Sequence, residues 1–252
     1  PSSAPVTAII TIATTRTAAA MISKYSIAPC PFVCILNQGF SLIKTYLFTC
    51  VTKISMKIYL MRHGETTGDE ENRYGGDYDD HLSQNGKEQV NNLAKKLEGK
   101  DIEIIYHSSL IRAIETAQIV GEKLSINLIE IKGIKERNHY GELTGLTKKE
   151  AKEKFPDEVE ELEHDPIYHK LPHSEDYYEF AERVINAFNE ISESEHEIIA
   201  IVTHGGPIKI IFRELIGFEV EGLEDCAIIE IEKEGDNIEI IGMDGIESIT
   251  PN

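Results

Sequence analysis

Apolar residues recur along this chain with two different spacings, and the alternation between them predicts an ordered series of strands and helices. Residues 57–61 form a short apolar run that empties into Arg62-His63-Gly64, a buried strand followed by a polar loop. Ser83 stands at the cap of a helix in which Val90, Leu93, Ala94 and Leu97 share one face and Gly99 marks the end. Residues 102–106 predict a second strand. Ser108-Ser109 then opens a helix toward Leu124, with Ile114, Ala117, Gly121 and Leu124 on its apolar face. Residues 127–131 predict a third strand, and the highly charged stretch 147–165 predicts helix broken at Pro156 and Pro166. Phe180, Val184, Ala187, Phe188 and Ile191 make the stripe of a long helix, after which 198–202 is a strand running into Thr203-His204-Gly205-Gly206. A helix over 207–216 and a hairpin pairing 227–232 with 237–241 complete the pattern. Strands alternating with helices predict a three-layer α/β/α sandwich with a mostly parallel central sheet and sites at the carboxyl ends of its strands.

Charge divides the chain in two. The 252 residues carry 25 Lys+Arg against 44 Asp+Glu, a net charge of −19. Residues 1–55 contain Arg16, Lys24, Lys44 and Lys53 and no acid, whereas the following 197 residues hold every acidic residue and carry a net −23. We read 1–55 as an atypical leader and 56–252 as the catalytic domain. Three accounts of the leader stand together: an organelle targeting segment, a membrane anchor over 25–43 interrupted by Pro29 and Pro31, or upstream sequence ahead of a start at Met56. Three of the four cysteines lie in it, so Cys226 has no partner within the domain and the cytosol is the expected compartment. Such acidity argues against a nucleic-acid partner or a membrane surface for the domain, because phosphate backbones are gripped by Lys and Arg. An anionic substrate needs a local basic pocket.

The strand ends supply one. Each of His63 and His204 follows a strand directly and sits beside a glycine that allows close approach of a ligand. Either could serve as nucleophile, general base, metal ligand or hydrogen-bonded structural group. Arg62 adjoins one of them, and Arg112 lies in the first turn of the helix after the second strand. Two guanidiniums with two imidazoles at one sheet edge describe a cage for a dianion, since Arg forks match phosphate oxygens bidentately. A metal is disfavoured because carboxylates at ligand spacing are lacking and the arginines repel a cation. No cofactor is expected.

The strings LMRHGET (60–66), SSLIRAIETA (108–117), KERNHYGELTG (135–145) and VTHGG (202–206) together resemble the histidine phosphatase superfamily, whose fold includes the cofactor-dependent phosphoglycerate mutases. The resemblance runs from about Met56 to the end. It implies a phosphoglycerate mutase-like fold in which His63 attacks phosphorus, Arg62, Arg112 and His204 neutralise the phosphoryl oxygens, and Glu136 protonates the leaving group. That acid role requires Glu136 to hold a proton near neutrality, through burial or the charge of a bound phosphate. It also implies that Gly64 provides the carbonyl that orients His63, and that Asn72, Gly75, Gly76, Arg137 and Gly205 bind substrate. The implied partner is a small phosphorylated molecule, and a homodimer stays open.

Departures from the family pattern decide its branch. The arginines that mutases carry in the lid are replaced by Glu163-His164-Asp165, and Gly205-Gly206-Pro207 is closer to phosphatase members. Arg137, Tyr140 and Lys148 resemble mutase contacts, displaced by the insertion of Asn138. An acidic lid holds a second phosphate poorly, so the reading is a phosphomonoester hydrolase working through phosphohistidine. The alternatives are a cofactor-dependent phosphoglycerate mutase and a non-catalytic phosphate-binding module. Asp69, where many members have Asn, costs phosphate binding unless it is protonated, turned outward or paired with Arg73.

Overall fold

The computed structural model describes residues 55–252. The leader assigned to 1–55 therefore lies outside the described residues, apart from Ser55.

A six-stranded sheet in the order β3-β2-β4-β1-β5-β6 forms the middle layer. β1 (Met56–Arg62), β2 (Ile104–His107), β3 (Asn127–Glu130) and β4 (Ile198–Thr203) run parallel, while β5 (Phe218–Glu234) lies antiparallel to β1 and pairs with β6 (Asn237–Pro251) in a hairpin. Strand residues alternate between the two faces, which explains why apolar runs serve β1 and β4. Ile58 and Leu60 join Ile199, Ile201, Ile229 and Ile231 in one core, and Tyr59 and Met61 join Ala200 and Val202 in the other.

Each core is closed by helices. Over the second lie α2 (Gln84–Lys96), which Ser83 caps by accepting from the Gly86 N–H, and α3 (Ile111–Leu124). Over the first lie α6 (Tyr177–Ser192) and α7 (Gly205–Ile210), the latter continuing as a wider π turn over Ile211–Ile216. The short α1 (Thr67–Glu70) follows β1. Between β3 and α6, α4 (Lys148–Lys154) and α5 (Pro156–His164) form a lid with a small core of its own, in which Leu143, Ala151, Val159, Leu162 and Leu171 meet. Pro156 occupies the first turn of α5, where its missing N–H costs nothing. Among the described residues no helix is long and apolar enough to cross a membrane.

Three expectations shift. The helix after β2 begins at Ile111, not at Ser108, and its buried face is Ala113, Thr116, Ala117, Val120 and Gly121, with Ile114 only half-buried. Small residues let α3 sit close against the sheet, so the largest apolar side chains were a poor guide to its inner face. The helix expected from Pro207 starts at Gly205, with His204 at its cap position. The hairpin is far longer than predicted: Phe218-Glu-Val-Glu221 already alternates like a strand, and a bulge between Leu223 and Ile228 interrupts the pattern before it resumes.

Candidate active site

The register of β1 and β4 decides where the chemistry sits. Arg62 pairs with Thr203, so His63 and His204 leave the sheet side by side, their ring centroids 5.0 Å apart. Both imidazoles are buried. The Nδ1 of His63 lies 2.7 Å from the Gly64 carbonyl and therefore carries the proton, which leaves Nε2 as the acceptor that receives the Arg112 Nε–H at 3.1 Å. Burial, reinforced by Arg112 and Arg62, holds His63 well below the ordinary histidine pKa, so its free nitrogen keeps a lone pair.

The two arginines are held by protein oxygens. Arg112 donates from Nη1 to the Tyr78 carbonyl (2.7 Å) and to Asp80 Oδ1 (3.0 Å), and from Nη2 to the Gly76 carbonyl (2.7 Å). Asp80 is itself buried and accepts the Gly68 N–H through its other oxygen. Arg62 reaches toward β5, where Leu223 offers its carbonyl at 2.5 Å and Asp225 its carboxylate at 3.0 Å. Its Nε is buried and has no hydrogen-bond partner among the described residues. His204 has one nitrogen, Nε2, 2.7 Å from Ser108 Oγ, and its Nδ1 is also buried and unpartnered. Two buried nitrogens left unmatched beside a nucleophile whose own nitrogens are both paired fit a site that receives a further polar group.

Glu136 faces this cage from the segment after β3. Its Oε2 accepts the Gly206 N–H at 2.9 Å and its Oε1 the Arg137 N–H at 2.8 Å. The carboxylate occupies the space that a side chain at position 206 would need, so Gly206 is small for Glu136 rather than for the ligand alone.

The open space in front of His63 is a cleft of about 510 Å³ lined by Arg62, His63, Gly75, Gly76, Arg112, Glu136 and Gly205 among others. Lys148, Leu162, Glu163 and Pro166 of the lid segment form part of its wall, with the Tyr74 and Tyr140 rings tilted against each other, centroids 4.9 Å apart. Burial pushes the Tyr140 hydroxyl up to about 12 and drops His139 to about 4, the latter with help from Arg137. Among the described residues no group of three or more His, Cys, Asp or Glu side chains is placed to hold a metal ion.

Two residues expected to bind substrate stand elsewhere. Asn72 is exposed in a left-handed turn (φ 54°) and its carbonyl accepts the Lys148 N–H, so it serves the loop rather than the cleft. Arg137 is buried away from the cleft, with Nε on the Glu175 carbonyl and Nη1 on the Ile167 carbonyl, and its guanidinium lies over the Tyr177 ring. Asp69 lines the cleft, yet its carboxylate is spent on the Thr66 N–H and hydroxyl at 2.9 and 2.7 Å, completing a capping box. Of the arrangements open to Asp69, pairing with Arg73 is not the one found, because Arg73 turns to Glu71 and the Gly145 carbonyl. Sequence reasoning missed Asp80, Ser108 and Asp225. Each is an anchor for a cage residue, and in so acidic a chain nothing marks one carboxylate from its neighbours.

Two arginines and two histidines converging on a cleft at the carboxyl ends of parallel strands define an α/β protein built to handle a phosphoryl group. The chain belongs to the histidine phosphatase superfamily (branch 1), whose family pattern matches residues 58–243. It is 27% identical over 166 residues to phosphoserine phosphatase 1 of Hydrogenobacter thermophilus, covering 66% of this chain and 78% of that one. It is 31% identical over 160 residues to the metal-independent phosphoserine phosphatase of Arabidopsis thaliana, covering 62% and 67%. The solved structure of Bacillus stearothermophilus YhfR superposes with a TM-score of 0.69 at 26% identity, covering 77% of this chain and 98% of that one.

Proposed function

We propose that residues 56–252 form a phosphatase domain that hydrolyses small phosphomonoesters through a phosphohistidine on His63. The observation that carries this reading is the state of His63: Nδ1–H bonded to the Gly64 carbonyl, Nε2 bearing a lone pair in a cage of guanidiniums. In the first step Nε2 attacks phosphorus and the bond to the leaving oxygen breaks, while Arg112 keeps its proton and its Nε–H hydrogen bond shifts from His63 Nε2 to a phosphoryl oxygen. Glu136, carrying a proton, gives it to the leaving alkoxide. In the second step Glu136 takes a proton from water, the hydroxide attacks phosphorus, the P–N bond breaks and inorganic phosphate departs. A placed acid contributes about 10²- to 10⁴-fold and an arginine on the transferring group about 10³- to 10⁵-fold.

Hydrolysis is favoured over phosphoryl transfer between substrate positions because Arg137 is buried outside the cleft lining, with Nε and Nη1 on two backbone carbonyls, and the lid presents Glu163 to the cleft. Phosphoserine is the first substrate to test. Relatives bear that activity in their names, and Lys148 and Glu163 in the cleft wall match the carboxylate and ammonium of an amino acid. The experiment is a panel of phosphomonoesters run with and without 2,3-bisphosphoglycerate. Release of phosphate, abolished by His63→Ala and accompanied by label on a histidine, supports the proposal. Rapid isomerisation of phosphoglycerate that depends on the bisphosphate would instead establish a mutase, and phosphate binding with no turnover a regulatory module.

A further inference from the structure

Ser108 has a task that its place ahead of α3 does not reveal. It is completely buried, its N–H donates to the Val202 carbonyl, and its hydroxyl reaches His204 as well as the start of the helix. Two contacts meet at that oxygen: the Leu110 N–H at 3.3 Å and His204 Nε2 at 2.7 Å. Leu110 can only donate. If Nε2 also donated, the hydroxyl would accept twice and its own proton would have no partner among the described residues, a loss in a buried place. If the hydroxyl donates to Nε2, every contact is used. A neutral His204 then carries its proton on Nδ1, the buried nitrogen that has no partner among the described residues.

We propose that Ser108 is a positioning residue that holds His204 in the Nδ1–H form, so that a neutral imidazole presents a hydrogen-bond donor to the phosphoryl group beside His63. This rests on the phosphohistidine reading above for its consequence, not for its geometry. Burial, with Arg112 and His63 next in effect, drives His204 well below the ordinary histidine pKa, which keeps the ring neutral. A neutral donor suits this place: Arg62 and Arg112 already supply charge, and a third buried cation would repel them before substrate arrived. The Nδ1–H of His204 and the Nε–H of Arg62 are then two buried donors awaiting acceptors.

Histidine ¹⁵N spectra of the full chain read the tautomer directly. The expected result is a proton-bearing Nδ1 and a bare Nε2 on His204; a proton on Nε2 overturns the proposal. Kinetics supply the second arm. Loss of one oriented donor costs about 10²- to 10³-fold, so Ser108→Ala should lower kcat/KM by about tenfold or more, with Ser108→Cys recovering part of it. In a His204→Ala background the same Ser108→Ala change should have almost no further effect, because it acts through the imidazole. Losses that simply multiply would mean that Ser108 acts independently, and would overturn the proposal. If Ser108→Ala does not fold, the wild-type spectrum decides alone. Failure of the wild type to hydrolyse any phosphomonoester defeats the phosphohistidine reading, while the tautomer still stands or falls on the spectrum.

Discussion

Arg112 donates its Nε–H to His63 Nε2 across 3.1 Å, so the lone pair that would attack phosphorus is already aimed by the group that would receive the phosphoryl charge. Lysine cannot reproduce this. Its ammonium is a point charge, whereas the guanidinium binds His63, Asp80 and two backbone carbonyls in one rigid fork. Arg112→Lys should lower kcat by about 10³-fold, within the range assigned to an arginine on a transferring phosphoryl group. Steady-state rates on any accepted substrate test this, and a loss below tenfold would remove Arg112 from the mechanism.

Asp80 is the counter-charge that allows Arg112 to be buried. Truncating one member of a buried pair leaves the other charge uncompensated and costs about 3–5 kcal/mol. Asp80→Ala should therefore destabilise the domain by that amount in urea titrations and reduce activity with it. Asp80→Asn keeps an acceptor for only one of the Arg112 and Gly68 N–H groups and sets an NH2 donor against the other, so it should recover only part of that loss.

How far this site could be read from the sequence follows from what each residue does. Arg62, His63, Arg112 and His204 were legible because the pattern puts them at strand ends or in the helix turn just past one, and because two guanidiniums and two imidazoles together describe a dianion cage that no single one of them does. Their anchors were not. Asp80 and Asp225 are single carboxylates among 44 acids, and only tertiary contact distinguishes them from solvated ones. Arg137 and Asn72 misled for the reverse reason: the family resemblance implied that both bind substrate, but here one is turned inward onto backbone carbonyls and the other out in a left-handed turn. The mostly parallel sheet was implicit in the alternation of strands and helices, whereas the strand order comes from pairing alone and the length of β5 was hidden by its bulge.

Gly206 gives a sharp test of Glu136. A methyl group at position 206 would overlap the Glu136 carboxylate and press on Phe180, while the backbone there needs no left-handed conformation. Gly206→Ala should move the carboxylate, costing about 10²- to 10⁴-fold in kcat on substrates with a poor leaving group. Aryl phosphates, whose leaving groups depart with less help from an acid, should lose much less. Equal losses on both classes would mean that Glu136 is not the proton donor.

Stability should fall on mild acidification, with a window set by the buried histidines. His63 and His204 have folded pKa values well below 6.5, the ordinary value, and His139 is lowered to about 4. On lowering pH the unfolded chain takes up these protons first, near pH 6.5, so the unfolded state binds more protons than the folded one and is favoured. The stability is complete above pH 6.5 and is lost as pH falls from there toward the folded values; for His139 the loss ends at about 4. Each of the two fully buried rings contributes about 1.4 kcal/mol per pH unit across that window. Asp225 acts in the opposite sense, because burial raises its carboxyl, but only nearer the carboxylate range. Unfolding titrations between pH 7.5 and about 5 should therefore show a steepening decline that begins near the histidine range, before ordinary carboxylates titrate. His204→Asn, if it folds, should flatten that decline by one proton, and saturating inorganic phosphate should raise stability most where the rings are neutral. A profile level down to about pH 5 would show that neither imidazole is held neutral by burial.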